Sequence, residues 1–479
     1  MKILFVFRCD FNTQPLGIMM LASVLKQAGH TCNFIDLRFD KYFLRKIINY
    51  KPDILAYSIV SFNWQYYVNI NLKIKRRLNA LSVFGGPHCS SYPDFINEEG
   101  IDIMCVGEGE HAFLELVNNL TINKDITNIK NLWVKKDGII YKNELRPPFE
   151  NLNALPFADQ DIIRKYQFYK NTGMFYVKTS RGCKYNCPYC IDHLYKKLYV
   201  NNGRYLRHRS VQNVIEELII LKNKYKAKFI AFVDEIFVLD KDWLFEFSTE
   251  YQKYINLPFE AYVRVEETTP NVVKTLKEMG CYALYLGIET GNQELREKVL
   301  RRNMTKKQIL ETSALIKENN IILASLNMTG LPDETIENTF ETLEINAQCK
   351  ITYPLCFMFQ PFPNYKLTQY AIDKGYFDGN TKRLSKIITE GKSPLHFDVL
   401  KKMERLHFLF IIGVKLPLLI PLIRILVKIP MKPLYKLIFF VSKSYLALFI
   451  YKKPFILKQY VLYHLKYVFY KTAPFLIKK

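Results

Sequence analysis

Three cysteines, Cys183, Cys187 and Cys190, lie in the run Ser180-Arg181-Gly182-Cys183-Lys184-Tyr185-Asn186-Cys187-Pro188-Tyr189-Cys190, a CxxxCxxC spacing just after the strand-like Phe175-Tyr176-Val177-Lys178-Thr179. Three thiolates hold three irons of a cubane. A four-iron four-sulfur cluster normally takes four cysteine ligands, so one iron would stay open, and an open position separates a catalytic metal centre from a structural one. The fourth ligand is then expected from a substrate or cofactor. Zinc, or a group of free thiols, is the alternative. Zinc needs a fourth Cys or His, and His193 is near in sequence but falls in a segment that reads as helix. The other seven cysteines (Cys9, Cys32, Cys89, Cys105, Cys281, Cys349 and Cys356) stand singly among apolar neighbours and imply no disulfide framework.

The cysteine loop opens a repeating strand and helix pattern. Strand-like runs recur at Phe175 to Thr179, Phe229 to Val233, Glu260 to Val263, Ala283 to Leu286, Ile321 to Met328 and Leu355 to Phe359, with helical stretches between them. Six strands in βα order predict an incomplete parallel barrel, a partial (β/α)6 unit over residues 173–385. Chemistry in barrels sits at the carboxyl ends of strands, where Asp234, Glu235, Arg264, Glu289 and Gly291 fall. Other readings apply to some of these residues. An Asp after a strand often caps a helix, and Arg264 with Glu266 and Glu267 would form an ordinary surface ion pair.

The first 125 residues also alternate short apolar runs with helix-like stretches, which predicts a doubly wound parallel sheet of the flavodoxin-like type. Its strand ends carry Gly85-Gly86-Pro87-His88 and Gly107-Glu108-Gly109-Glu110, and ligands of open α/β sheets bind at such ends. No GxGxxG follows the first strand, which argues against a dinucleotide fold. His88 reads as a hydrogen-bonding or packing residue, with metal ligation as the sharper alternative. Residues 126–172 read as a hairpin, near Ile129 to Tyr141, and an extended connector.

The cysteine loop, with aromatic Tyr189 before its last cysteine, resembles the signature of radical S-adenosylmethionine enzymes. The pair of glycine motifs upstream resembles the cobalamin-binding domain that precedes many of them. The resemblance implies that Cys183, Cys187 and Cys190 each ligate one iron of a [4Fe-4S] cluster and that S-adenosylmethionine chelates the fourth. It implies that Asp234 and Glu235 receive the methionyl ammonium, that Glu289 and Gly291 lie near the ribose, and that Arg264 faces the carboxylate. Gly85, Gly86, His88, Gly107, Glu108 and Gly109 would border cobalamin. The Asp-x-His-x-x-Gly motif of other cobalamin domains is missing, and Asp10-Phe11-Asn12-Thr13-Gln14 stands there instead. The departure implies cobalamin without a protein imidazole beneath it, or no cobalamin. The implied activity is reductive cleavage of S-adenosylmethionine to a 5′-deoxyadenosyl radical, with methylation of carbon or phosphorus leading and cyclisation or rearrangement as rival. A one-electron donor such as flavodoxin or ferredoxin is implied as well.

No small-residue cleavage site follows the first apolar run, so a reducing cytoplasm is expected. The formal charge of +23 is mostly a tail property: from Arg405 onward there are 14 Lys and Arg and no Asp or Glu. Residues 386–479 read as a basic, apolar, mostly helical region. Leu406 to Val427 is nearly long enough to span a bilayer, interrupted by His407, Lys415, Pro417, Pro421 and Arg424. Lys428, Lys432 and Lys436 recur at helical spacing, accompanied by Phe439, Phe440, Tyr445, Phe449 and Tyr451. This pattern predicts a peripheral anchor on an anionic membrane surface, and a membrane location would make a lipid or other apolar substrate more plausible. A helical cap on the barrel is the alternative. Nucleic acid is disfavoured, because the tail is too apolar for a solvated basic arm.

Overall fold

The computed structural model describes residues 1–8, 13–385 and 391–446. Cys9, Asp10, Phe11 and Asn12, and the tail aromatics Phe449 and Tyr451, lie outside the described residues.

The first sheet contains β1 (Lys2–Phe7), β2 (Thr31–Asp36), β3 (Ile54–Ser58), β4 (Leu81–Gly85), β5 (Ile103–Cys105), β6 (Leu132–Lys136) and β7 (Ile139–Lys142) in the order β2-β1-β3-β4-β5-β6-β7. The first five strands are parallel. Ile3 and Phe5 point into one core and Leu4 and Val6 into another, so β1 is buried on both faces. A strand sandwiched in this way must be apolar without alternation, which is how its sequence reads. The hairpin turns through Asp137 and Gly138, both at positive φ, as a two-residue turn requires. Rather than standing apart with the connector, it extends this sheet, with β6 antiparallel to β5.

The second sheet begins with β8 (Met174–Val177). A two-stranded ribbon of β9 (Ser180–Arg181) and β10 (Arg207–His208) brackets the cysteine loop. Then follow β11 (Phe229–Phe232), β12 (Phe259–Val263), β13 (Cys281–Glu289), β14 (Ile322–Thr329) and β15 (Tyr353–Met358). The order β15-β14-β13-β12-β11-β8 is parallel throughout and does not close. Helices on its outer side start at side-chain caps on Ser210, Asp240, Thr269, Thr305 and Thr335. Each such cap contributes about 1 kcal/mol and fixes where a strand-end loop gives way to helix.

Both edges of the open barrel are covered. At β8, the buried Gln14 side chain acts as a short piece of strand: its Nε2 donates to the Met174 carbonyl (3.0 Å) and its Oε1 accepts from the Tyr176 amide (3.2 Å). At β15, the helix Leu400–Lys415 lies across the strand and the helix Ile336–Gln348, burying Leu406, Leu409, Phe410 and Val414.

The apolar stretch expected to approach a bilayer span is therefore divided. Its first helix stops at Lys415, Pro417–Leu419 form a 3-10 turn, and Ile420–Leu426 form a second short helix. Pro417 and Pro421 lack the amide that a continuous helix would need. Among the described residues no helix is long and apolar enough to cross a membrane. The lysine row does not form one helical stripe either, because Lys428 precedes the helix Lys432–Tyr445.

Candidate cluster and cofactor site

The cysteine loop is held open by one buried carboxylate. Asp234, 1% exposed at the end of β11, accepts at Oδ1 from the Thr179 amide (2.9 Å), the Thr179 hydroxyl (3.0 Å), the Ser180 amide (2.6 Å) and the Ser180 hydroxyl (2.6 Å). That convergence fixes the turn from β8 into the loop. Gly182 continues it at φ +95°, where a Cβ would stand 2.7 Å from the Tyr205 carbonyl. Cys183 and Cys187 are buried, Cys190 is half-buried, and all three thiols are free.

Arg264, at the end of β12, donates from Nη1 to the Cys187 sulfur (3.3 Å) and lies 3.5 Å over the Tyr185 ring. Its Nη2 pairs with Glu266 Oε1 (2.6 Å). Arg302, 2% exposed, pairs with Glu289 (2.7 Å) and Glu266 (3.6 Å). Charges thus alternate along Glu289, Arg302, Glu266 and Arg264, and the series ends at the Cys187 sulfur. Burial raises the Glu289 carboxyl pKa, against the pull of Arg302 and Arg264. Glu289 itself sits at φ +67°, an uncommon conformation for a non-glycine residue and one that recurs at functional sites. Gly287 makes room for this pair: a Cβ there would lie 2.7 Å from Glu289 Oε1 and 2.8 Å from Arg302 Nη1. Tyr189 is beside the same two residues.

The donor set fits an iron-sulfur cluster. Thiolates are soft ligands for iron-sulfur or zinc, and a guanidinium beside one sulfur offsets the negative charge of a bound thiolate. Among the described residues no three His, Cys, Asp or Glu side chains converge on a single metal ion. A tetrahedral zinc would need such convergence, whereas a cubane asks each cysteine for a separate iron. His193 lies in the helix Ile191–Leu198 near the charges of Lys366 and Lys196, which disfavour a bound cation.

A cavity of about 490 Å³ opens where the strand ends of both sheets meet. From the first sheet it is bordered by Gly85, Gly86, Gly107, Glu108 and Gly109, and from the barrel by Lys178, Tyr195, Tyr205 and Glu235, among others. Glu235 borders the cavity and its buried Oε2 has no protein partner; the preceding residue, Asp234, also leaves Oδ2 buried and unpartnered but does not line the cavity. Unsatisfied buried acceptors suit a cationic ligand such as an ammonium. Glu235 otherwise pairs with Lys178, and burial raises its pKa.

The glycine cradle fits a large cofactor approaching the backbone. Gly86 borders the cavity at φ +97°, and its Cβ position, 2.8 Å from the Ile59 carbonyl, shows that close backbone packing by itself requires glycine there. Glu108 is turned to another task. Its carboxylate accepts from both terminal nitrogens of Arg207 (2.7 and 3.1 Å), from the Phe149 amide (2.7 Å), and pairs with Arg181 (3.2 Å), tying the first sheet to the ribbon beside the cysteine loop.

Two residues grouped with the site from sequence are placed elsewhere. His88 is fully buried, stacked on Trp64 at 5.7 Å with Nδ1 3.0 Å from the Ser61 hydroxyl, and does not border the cavity. Its ring packs with Trp64 and Phe95, and desolvation there lowers its pKa to about 3. Gly291 faces the helix Ile336–Gln348, where a Cβ would collide with the Glu341 carbonyl at 2.3 Å; close packing explains this glycine. Conversely, Arg302 was not singled out from sequence, and Glu266 only as a surface partner. The signal available was the Arg301-Arg302 pair shortly after the fourth barrel strand.

The chain matches the B12 binding domain over residues 4–117 and the Radical SAM superfamily over residues 177–345. It is 31% identical to an uncharacterized methyltransferase from Pyrococcus horikoshii, over 75% of this chain and 78% of the relative. It is 24% identical to cytidylyl-2-hydroxyethylphosphonate methyltransferase from Streptomyces wedmorensis, over 78% of this chain and 81% of that protein. Its fold is similar to that of the radical S-adenosylmethionine methyltransferase TsrM from Kitasatospora setae with cobalamin and a [4Fe-4S] cluster bound (TM-score 0.64, 18% identity, 78% of this chain and 75% of that one).

Proposed function

Because this chain belongs to the cobalamin-binding-domain-containing radical S-adenosylmethionine enzymes, we propose that it transfers a methyl group to an unactivated carbon, or to phosphorus, of a small-molecule or lipid-like substrate. The observation that carries this reading is the shared cavity, which brings the glycines of one sheet to the same space as Glu235 and the Ser180-Arg181-Gly182 start of the cysteine loop of the other. Relatives named as methyltransferases support methyl transfer, and a relative named as a cyclase, 22% identical over 64% of this chain, keeps cyclisation as the second reading.

A bound [4Fe-4S] cluster would supply the electron for reductive cleavage of S-adenosylmethionine, and bound cobalamin would supply a methyl-carrying site. In this reading Cys183, Cys187 and Cys190 hold three irons. Asp234 Oδ2 and Glu235 Oε2 accept the methionyl ammonium, and Arg264 offers its charge to the carboxylate. Arg302 holds the Glu289 carboxylate in place through a buried ion pair. Gly85, Gly86, Gly107 and Gly109 let the corrin reach the backbone, and Tyr195 and Tyr205 help keep water from the space between the cofactors. A flavodoxin- or ferredoxin-type donor delivers the electron, and the reaction takes place in the cytoplasm or at the inner membrane surface.

The test is anaerobic reconstitution with iron, sulfide and cobalamin, then incubation with methyl-labelled S-adenosylmethionine, a reductant and candidate substrates. Methyl transfer yields 5′-deoxyadenosine, S-adenosylhomocysteine and labelled product together. Formation of 5′-deoxyadenosine with an unlabelled, rearranged product would establish the cyclisation class instead. No 5′-deoxyadenosine with any substrate would refute both.

A further inference from the structure

The cap over β15 has two apolar sides, and the barrel covers only one. Inward, Ile423, Val427 and Tyr435 are buried in the barrel core, with Ile438 and Phe439 packed against it. Outward, Leu418 is 94% exposed, Leu422 50%, Ile425 58%, Leu434 43%, Leu437 59% and Val441 57%. Leu422 and Ile425 are three apart on one short helix, and Leu434, Leu437 and Val441 share one face of the next. The Tyr435 hydroxyl joins the two elements by donating to the Leu426 and Ile429 carbonyls (2.8 and 3.1 Å). Most large apolar side chains exposed on the described residues fall between Leu416 and Tyr445. Such concentration marks an interaction surface, whereas single exposed apolar residues need no explanation.

Charge selects the partner. From Arg405 to the end of the sequence there is no acidic residue, and the exposed Lys428 and Lys436 stand among the outward leucines. The carboxylates that meet the cap, Glu337, Glu344 and Glu404, are taken up by Arg424 and Lys432, and the outward apolar side chains with the exposed Lys428 and Lys436 suit an interface with anionic headgroups above and acyl chains below. Neither helix can span a bilayer, so contact would be from one side. The cap covers the β15 edge, and the glycine-bearing sheet meets the barrel at the β8 edge through Gln14, so this face lies away from the junction of the two sheets.

We propose that the outer side of the 416–445 cap docks on an anionic phospholipid bilayer, with Leu418, Leu422, Ile425, Leu434, Leu437 and Val441 entering the interface and Lys428 and Lys436 meeting headgroup phosphates. This surface is independent of the proposed reaction: vesicle binding and methyl transfer can each fail alone.

The experiment is flotation of the full-length reconstituted protein with phosphatidylcholine vesicles, with and without phosphatidylglycerol. The wild type floats with phosphatidylglycerol-containing vesicles and is released by high salt. Leu437→Asp with Val441→Asp lowers the bound fraction at least about tenfold, as loss of two buried apolar side chains requires. Leu418→Asp, on a different element, lowers it too, and Lys428→Glu with Lys436→Glu removes the preference for anionic lipid. Unchanged cluster absorbance and circular dichroism confirm that each variant is folded. The proposal is overturned if the wild type stays with the soluble fraction, if the variants bind as tightly, or if binding ignores lipid charge. It is also overturned if the same substitutions instead dissociate a concentration-dependent dimer, since a second copy of the chain would then cover the face.

Discussion

Arg264 stands between a sulfur and a carboxylate: Nη1 is 3.3 Å from Cys187 Sγ and Nη2 is 2.6 Å from Glu266 Oε1. Of the three cysteines, Cys187 is the one this guanidinium reaches, so the thiolates are electrostatically unequal. Hydrogen bonds and positive charge at cluster sulfurs raise the reduction potential. Replacing Arg264 by Gln is expected to make the cluster harder to reduce by about 59 mV, a tenfold step for a one-electron couple. Arg264→Lys should recover part of the shift. Redox titration followed by electron paramagnetic resonance checks this without turnover.

Single replacement of Cys183, Cys187 or Cys190 by Ala is expected to abolish 5′-deoxyadenosine formation. Cobalamin binding should be largely retained, because the glycine cradle belongs to the other sheet. Iron analysis and the cobalamin absorbance band of the purified variants measure the two effects separately.

His88 makes acid sensitivity predictable. Burial holds its folded-state pKa near 3, against about 6.5 for an unfolded histidine. Between those values the unfolded chain binds the proton and the folded chain does not, so stability present above pH 6.5 is lost as pH falls toward 3. At pH 5 the loss is about 2 kcal/mol. His88→Phe, which preserves a ring against Trp64, should flatten melting temperature between pH 7 and 5. Its cobalamin affinity should equal that of the wild type, whereas a cobalt ligand would reveal itself by a weakened and spectrally shifted complex.

Arg207 is almost fully buried against Glu108. Removing one member of a buried pair strands the other, a cost of about 3 to 5 kcal/mol, although Arg181 still offsets part of the Glu108 charge. Arg207→Gln is therefore expected near the lower end of that range, with cobalamin released faster. Thermal unfolding and a dilution assay of cobalamin retention give both values.

The βα order of both sheets was legible because buried parallel strands leave continuous apolar runs, as in Ile3 to Val6 and Leu284 to Leu286. The thiol spacing was legible because it is local. What escaped depends on partners far along the chain. Pairing of β6 with β5 joins residues whose patterns do not announce each other. Arg302 enters the site only because the chain after β13 folds back to Gly287. In the tail, apolar residues on both sides of short helices resembled a membrane span, although one side packs on the barrel. For His88 and Gly291, strand-end position suggested a ligand, but the direction each faces is set by Trp64 and by the helix backbone at Glu341.

Gln14 carries one further consequence. An open barrel leaves β8 with ladder groups that could recruit a strand from another molecule, a common start of aggregation. The Gln14 carboxamide occupies the Met174 carbonyl and the Tyr176 amide on that edge. Solubility of the barrel is thus delegated to a side chain from the other sheet, and a barrel fragment expressed without the first 172 residues would be prone to self-association.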